Sequence, residues 1–282
     1  MRAARAARHL GPAAPRGARR LERHLALLRA FWSANLAEEL QYRGNLIANL
    51  LGVVFWMGTA VLTAALFFRQ APALGGWSFW EVVALLGVFN TVGGVVEAVV
   101  RPNVGRIEQY VRRGTLDLIL AKPVDPQFHM SFRRVEAWRS ADVLLGLGLT
   151  SFALVQLERA PSALELAAFA LTLASAVTIV YAIWLTLLTF TFWWVSVDNL
   201  EVLFDAVYEA ARFPVSVYPG PLRFVFVYLL PIAWITTVPA ASLIGRTSPA
   251  TALLAAGVAT AALVLTRRLW WAGLRRYTSA GG

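Results

Sequence analysis

The sequence predicts an all-α, polytopic membrane protein with six transmembrane helices. Three observations point there. Hydrophobic residues make up 58% of the 282 and charged residues 15%, where a soluble domain carries about 25% charged. Several stretches then lack charge over the roughly 20 residues that a helix needs to cross a bilayer. Finally, the basic residues fall in blocks: of 26, nine lie in residues 1–45, eight in 101–140 and four in 267–282. Segments retained in the cytoplasm are rich in Lys and Arg, so the N-terminus, 101–140 and the C-terminus are all expected on the inner side.

The elements follow in order. Residues 1–24 read as a disordered basic arm. Its Arg-rich, acid-free start resembles a transit peptide in composition, but an arm that opens a bacterial protein is the simpler reading. Residues 25–282 are expected to form one transmembrane domain. In 25–43, Leu25, Leu28, Phe31 or Trp32, Leu36 and Leu40 recur at helical spacing, giving an amphipathic helix that lies in the membrane interface or packs on the protein's own body. The spans are expected at 46–68, 79–100, 141–157 and 165–188. A further span at 249–268 is closed by Arg267, Arg268, Trp270 and Trp271, expected to anchor it at the interface. Gly93 and Gly94, with Gly146 and Gly148, suit close packing between helices.

Composition also excludes. The chain has no Cys, which removes disulfides, thiolate nucleophiles and Cys-based metal sites. His9, His24 and His129 have no metal-ligand spacing. The net charge of +10 flanks apolar spans, so topology and anionic headgroups account for it and no nucleic-acid partner is expected. The single Lys, Lys122, follows Ala121, so there is no Gly-Lys phosphate loop and no Walker-type nucleotide site. No catalytic residue and no bound cofactor are expected.

The connector 101–140 is the strongest functional signal. Pro102 and Gly105 break one helix, Gly114 ends another stretch, and Lys122-Pro123 ends the next. A short helix at Ile107–Arg113 offers both charge and an apolar face, as a docking surface would; the plain alternative is a solvated basic loop.

The run Gly114-Thr115-Leu116-Asp117, followed by Leu120-Ala121-Lys122-Pro123, resembles the ABC-2 type permeases, the membrane subunits of a class of ATP-binding-cassette exporters. The likeness extends to Phe213-Pro214, Leu230-Pro231 and Val238-Pro239, and to the closing Gly273-Leu274-Arg275-Arg276-Tyr277, and covers about 40–282. The resemblance implies a coupling segment that meets cytosolic ABC ATPase subunits, which carry the ATP-Mg, through Arg106, Glu108, Arg112, Arg113, Gly114, Asp117, Lys122 and Pro123. It also implies a second permease subunit, the same or related, set in the lipid of a bacterial cytoplasmic membrane. The implied activity is export of a small amphipathic, drug-like or lipid-like substrate.

The resemblance places a fifth span at 194–213 and a re-entrant hairpin at 222–244. Hydropathy alone makes 222–244 the fifth span and leaves 198–221 in the cytoplasm. In the first scheme Asp198, Glu201, Asp205 and Glu209 form one stripe on a helix. With Glu97 of the second span they are candidates for a substrate path favouring cations, since ionisable groups at membrane depth usually face a bundle interior or a water-filled path. Pairing with Arg212 and other Arg, or a solvated helix face, is the plain alternative. The stripe also permits a different function, a proton- or ion-coupled secondary transporter.

Overall fold

The computed structural model describes residues 32–33, 43–193 and 200–277. Among them there is no strand; Leu74 and Trp77 form an isolated bridge. Five helices are long and apolar enough to cross a membrane, and a sixth crossing is possible through a bent helix pair. The protein is thus a polytopic helical membrane protein. The expected helix at 25–43 lies almost wholly outside the described residues.

Helix α1 spans Arg43–Phe68. Two of its polar side chains are satisfied within the helix: the Thr59 and Thr63 hydroxyls each donate to the carbonyl four residues back, at 2.8 Å. This is what an apolar solvent requires. Only 6% of its most apolar window is buried, so it stands at the edge, with Phe55 and Trp56 exposed.

Helix α2, Phe79–Val95, is the centre, with 67% of its window buried. The Ser78 N–H donates to Glu81 at 2.8 Å, closing its N-terminus. At the other end a π-turn, Val96–Val100, leads directly into α3, Arg101–Val104. Pro102 therefore does not break the rod as expected; the turn comes at Gly105. Pro102 lacks the N–H that would bond the carbonyl of Ala98, and that carbonyl instead accepts the Glu136 N–H at 2.9 Å. A contact across the connector offsets the local penalty.

The connector folds as three further short helices, α4 (Ile107–Arg112), α5 (Asp117–Leu120) and α6 (Pro126–Phe132). Gly114 follows α4 at φ 63°, a left-handed conformation suited to glycine. The Thr115 N–H then reaches back to Tyr110 O at 3.0 Å, the bond that closes a Schellman-type helix end.

Helix α7, Ser140–Gln156, packs along α2. At this seam the glycines matter. A Cβ on Gly146 would lie 2.6 Å from Thr91 N, and one on Gly94 2.8 Å from Val143 N. Gly87 does the same from the α2 side, its Cβ meeting Gly146 O at 2.6 Å. Gly148 differs from expectation: nothing lies within 4 Å of its Cβ position. Gly93 faces the Tyr208 hydroxyl, 3.3 Å from its own Cβ position, and not α7.

Helix α8, Ala163–Thr189, starts with a capping box between Ser162 and Glu165. Its 27 residues span about 40 Å at 1.5 Å per residue, which absorbs most of the long uncharged run. It is held by hydroxyl pairs, as interhelical contacts in lipid often are. Thr186 meets Thr266 at 2.8 Å, and Thr172 meets Ser242 at 3.2 Å.

Beyond residues 194–199, which are not described, α9 covers Leu200–Glu209 and passes into a 3-10 turn, Ala210–Arg212. It is shorter than a full span. The segment nonetheless runs alongside α2: Asp205 pairs with Arg101, the Tyr208 hydroxyl donates to Phe89 O at 3.2 Å, and the Ser216 hydroxyl donates to Gly75 O at 2.7 Å.

The chain next forms a bent pair, Gly220–Leu229 and Ile232–Leu243, at 68°. It begins with α10 (Gly220–Phe224) and ends with α11 (Thr237–Leu243). Pro231 sits in the break and cannot donate to a continuing helix.

Helix α12, Pro249–Leu274, packs along α8 and extends past the expected 249–268. This corrects the reading of Trp270 as an interfacial anchor. The side chain is 0% exposed and meets Phe192 edge to face at 5.3 Å. The extra helical turn carries it under the bundle, and Trp271 remains partly exposed.

Candidate functional site

The residues expected to matter gather at the connector end of the bundle, in two places. The first is the connector itself. Val104, Ile107 and Leu116 are fully buried and Ile119 nearly so, so its helices are seated on the bundle. Asn103 fastens it further: its Nδ2 donates to the carbonyls of Val99 and Arg134, each at 2.6 Å, and its Oδ1 accepts the Arg134 N–H at 2.7 Å.

Three of the eight residues expected at the coupling face turn outward from the connector. Arg113, Lys122 and Pro123 are exposed, as is Leu118 at 70%. Arg106, Gly114 and Asp117 are half-buried, Asp117 opening α5. The side chains of Glu108 and Arg112, both on α4, lie outside the described residues.

Two further helices tie to the connector through residues that, Arg267 apart, the sequence reading did not single out. Asp125 caps α6 by accepting the Phe128 N–H at 3.0 Å. Both Asp125 carboxylate oxygens also accept from Arg267 of α12, and so does Gln127. Gln127 and Ser131 meet the Tyr181 hydroxyl of α8 at 3.0 and 2.8 Å. One short helix thus grips α8 and α12 together. Burial alone would raise the Asp125 pKa, but the Arg267 hydrogen bonds and the Phe128 N–H outweigh it and hold the carboxyl below its usual range. Burial, with Lys122 and Arg133 nearby, pushes His129 down. The only sequence signal for this network was Asp125-Pro126, a helix-start pattern. Its partner stands 142 residues away.

The second place is a cavity of about 520 Å³ between α1, α2, the start of α7 and α9. The π-turn brings Glu97 into its wall, as such turns often do at functional sites. Glu97 Oε1 pairs with Arg101 at 3.0 Å, and Oε2 with Arg139 at 3.4 Å. Arg101 also holds Asp205, and Arg139 holds Asp142 at 3.1 Å. Glu209 pairs with Arg212 at 2.8 Å. Trp56, Trp138, Phe89 and Tyr208 supply aromatic wall.

Three of the five path candidates, Glu97, Asp205 and Glu209, therefore line one cavity. Asp198 and the Glu201 side chain fall outside the described residues. Each of these three carboxylates carries an Arg partner, Arg212 in the case of Glu209, as in the plain alternative given for the stripe. Sequence spacing missed Arg139 and Asp142, although a carboxylate in the first turn of an apolar span was a visible signal. Among the described residues no cluster of three or more His, Cys, Asp or Glu could hold a metal ion.

A family model described as ABC-2 family transporter protein matches residues 54–281. The chain belongs to the ABC-2 transporter family. Neither curated proteins nor solved structures give a match. The family match covers most of α1, α2 through α12, the connector and the cavity lining other than that from residues 48–53, and leaves the basic arm outside. ABC-2 transporter membership makes the chain a membrane transport subunit and implies association with ABC ATPase subunits.

Proposed function

We propose that this chain is the permease subunit of an ATP-driven exporter. It moves a small amphipathic, drug-like or lipid-like substrate outward across a bacterial cytoplasmic membrane. ATP is bound and hydrolysed on separate cytosolic ATPase subunits, and a second permease subunit completes the path. The observation that carries this reading is the connector: an apolar underside fixed to the bundle, an outer face of Arg113, Leu118, Lys122 and Pro123, and α6 joined to both α8 and α12. Force applied to that face would reach two spans through one rigid link. Rigid-body movement of packed helices is the usual form of such a transition. Segment 194–213 is read as the fifth crossing, and 222–244 as a re-entrant hairpin on the outer side.

An ion-coupled carrier fits less well. A proton relay needs carboxylates free to change charge, and Glu97, Asp205 and Glu209 are each held by a guanidinium.

The test is purification of the tagged full chain from its native membranes. An ABC ATPase should accompany the wild type and be lost from a Leu118→Glu, Arg113→Glu variant that is still made at normal levels. Purification without any ATPase under mild detergents contradicts the proposal.

A further inference from the structure

Helix α9 is held differently at its two ends. At the far end, away from the connector, the chain is pinned by several hydrogen bonds. The carbonyls of Ala210 and Ala211 accept the hydroxyls of Tyr218 and Thr236, at 2.8 and 2.5 Å. The Val215 N–H donates to the Thr237 hydroxyl at 3.1 Å, and the Ser216 hydroxyl to Gly75 O at 2.7 Å. Ala211 is fully buried. The helix ends here in the 3-10 turn Ala210–Arg212 and an extended Phe213, and hinges are usually element ends of this kind.

The connector end of α9 has a lighter hold. Asp205 pairs with Arg101 of α3, with side chains 51% and 33% exposed. Phe204 rests on Trp184 of α8, ring centroids 4.7 Å apart, and the Arg101 guanidinium faces the same ring at 5.6 Å. Between the two ends the Tyr208 hydroxyl adds one bond, to Phe89 O at 3.2 Å. A partly solvated ion pair is weak, which suits a contact that has to open. Glu97 also pairs with Arg101, at 3.0 Å, so loss of Asp205 leaves the guanidinium with a carboxylate.

Arg101 is placed to feel the connector. It follows directly on the π-turn Val96–Val100, and helices bend at such turns. It stands two residues from Asn103, which donates to Val99 O and Arg134 O and so fixes α3 to the connector. A push on the connector swings α3 at the π-turn and carries Arg101 with it.

From this asymmetry we propose that α9 is a strap along one side of the cavity, hinged at Ala210–Arg212 and latched by Arg101 on Asp205, and that movement of the connector releases the latch. Release opens the cavity, about 520 Å³ with the strap in place, between α2 and α9. The proposal rests on the permease reading for the force that moves the connector; the strap is a property of this chain alone.

The test is amide hydrogen exchange of the full chain in phosphatidylcholine nanodiscs, read separately over 200–207 and 210–217. Asp205→Asn should speed exchange over 200–207 about fivefold, the effect of one lost, partly exposed ion pair, and leave 210–217 unchanged. Asp205→Glu keeps the charge and should restore the wild-type rate. Glu209→Gln removes a pair made with Arg212, three residues on, and should leave 200–207 as it was. Should Asp205→Asn fail to give a monodisperse protein, Arg101→Gln removes the same pair from the other side. In the complex with the co-purifying ATPase, trapping with ATP and vanadate should alter exchange over 200–207 relative to the nucleotide-free complex. Exchange over 200–207 that ignores Asp205→Asn, a change that spreads equally to 210–217, an equal effect of Glu209→Gln, or no difference between the nucleotide states overturns the proposal. The nanodisc comparison contains no ATPase. A latch that fails there while an ATPase still co-purifies removes the strap and leaves the permease reading intact.

Discussion

Gly146 and Gly148 lie two residues apart on α7 yet do different work. At Gly146 an added methyl would approach Thr91 N to 2.6 Å, against backbone that cannot yield cheaply. Gly146→Ala is therefore expected to lower stability by about 1–3 kcal/mol, the usual cost of overpacking. At Gly148 no atom stands within 4 Å, so Gly148→Ala should be neutral or slightly stabilising, since alanine is the better helix former. Thermal unfolding of the two variants in the same detergent checks the contrast. A sequence containing Gly-Leu-Gly cannot tell these positions apart; only the rotation of α7 against α2 does.

His129 gives the pH dependence at this scale. Its pKa is lowered in the folded chain, first by burial and then by Lys122 and Arg133. The neutral form is thus the one that the fold favours. Its contribution is complete above the unfolded value of about 6.5 and is lost as pH falls toward the lowered folded value. Thermal stability should decline through that window, and His129→Gln should flatten the decline. A variant whose slope matches that of the wild type would assign the pH dependence to other groups.

Among the elements, α6 has the largest reach for its length. Its seven residues and their N-cap, Asp125, connect to α12 through Asp125 and Gln127, and to α8 through Gln127 and Ser131. The Asp125–Arg267 pair is partly solvated, with side chains 29% and 38% exposed. Solvent screening reduces its stabilisation to about 1 kcal/mol or less. Asp125→Asn should therefore leave the fold intact but speed amide hydrogen exchange in α6 several-fold. It should also uncouple ATPase activity from transport more than it lowers melting temperature. Exchange in α6 that does not change would show that packing alone holds the helix.

The long helices were legible because a charge-free run of about 18 residues or more leaves few alternatives; α1, α8 and α12 contain such runs, and α2 carries only Glu81, in its first turn. Pro102 misled because the group that donates to the freed Ala98 carbonyl, the Glu136 N–H, lies far along the chain. Trp270 misled because Trp beside Arg at a helix end suits an interface in general, and only the packing of Phe192 makes it a core residue. In the cavity, Glu97 and Asp205 could be suspected from depth alone. Arg101 stands one helical turn from Glu97, but its pairing with Asp205 was hidden by a separation of 104 residues.

At the scale of the whole molecule, charge and function divide along the bundle. One end carries the connector, the Arg101–Glu97–Arg139 pairs and the Asp125–Arg267 link. The other is closed by Arg246, which donates to Gly76 O at 2.9 Å and pairs with Glu81 at 2.8 Å, tying the stretch before α12 to the start of α2. Arg246→Ala should loosen that closure and leave ATPase association unchanged, a separation that co-purification can measure.

The central claim is that the connector's outer face meets an ABC ATPase. The chain has no Cys, so Leu118→Cys introduces a single thiol at the middle of that face. Carrying a photoreactive maleimide in native membranes, it should cross-link to an ABC ATPase, while Glu158→Cys, in the turn after α7, should not. Cross-linking of both positions to the same proteins, or of Leu118→Cys to lipid alone, would contradict the account.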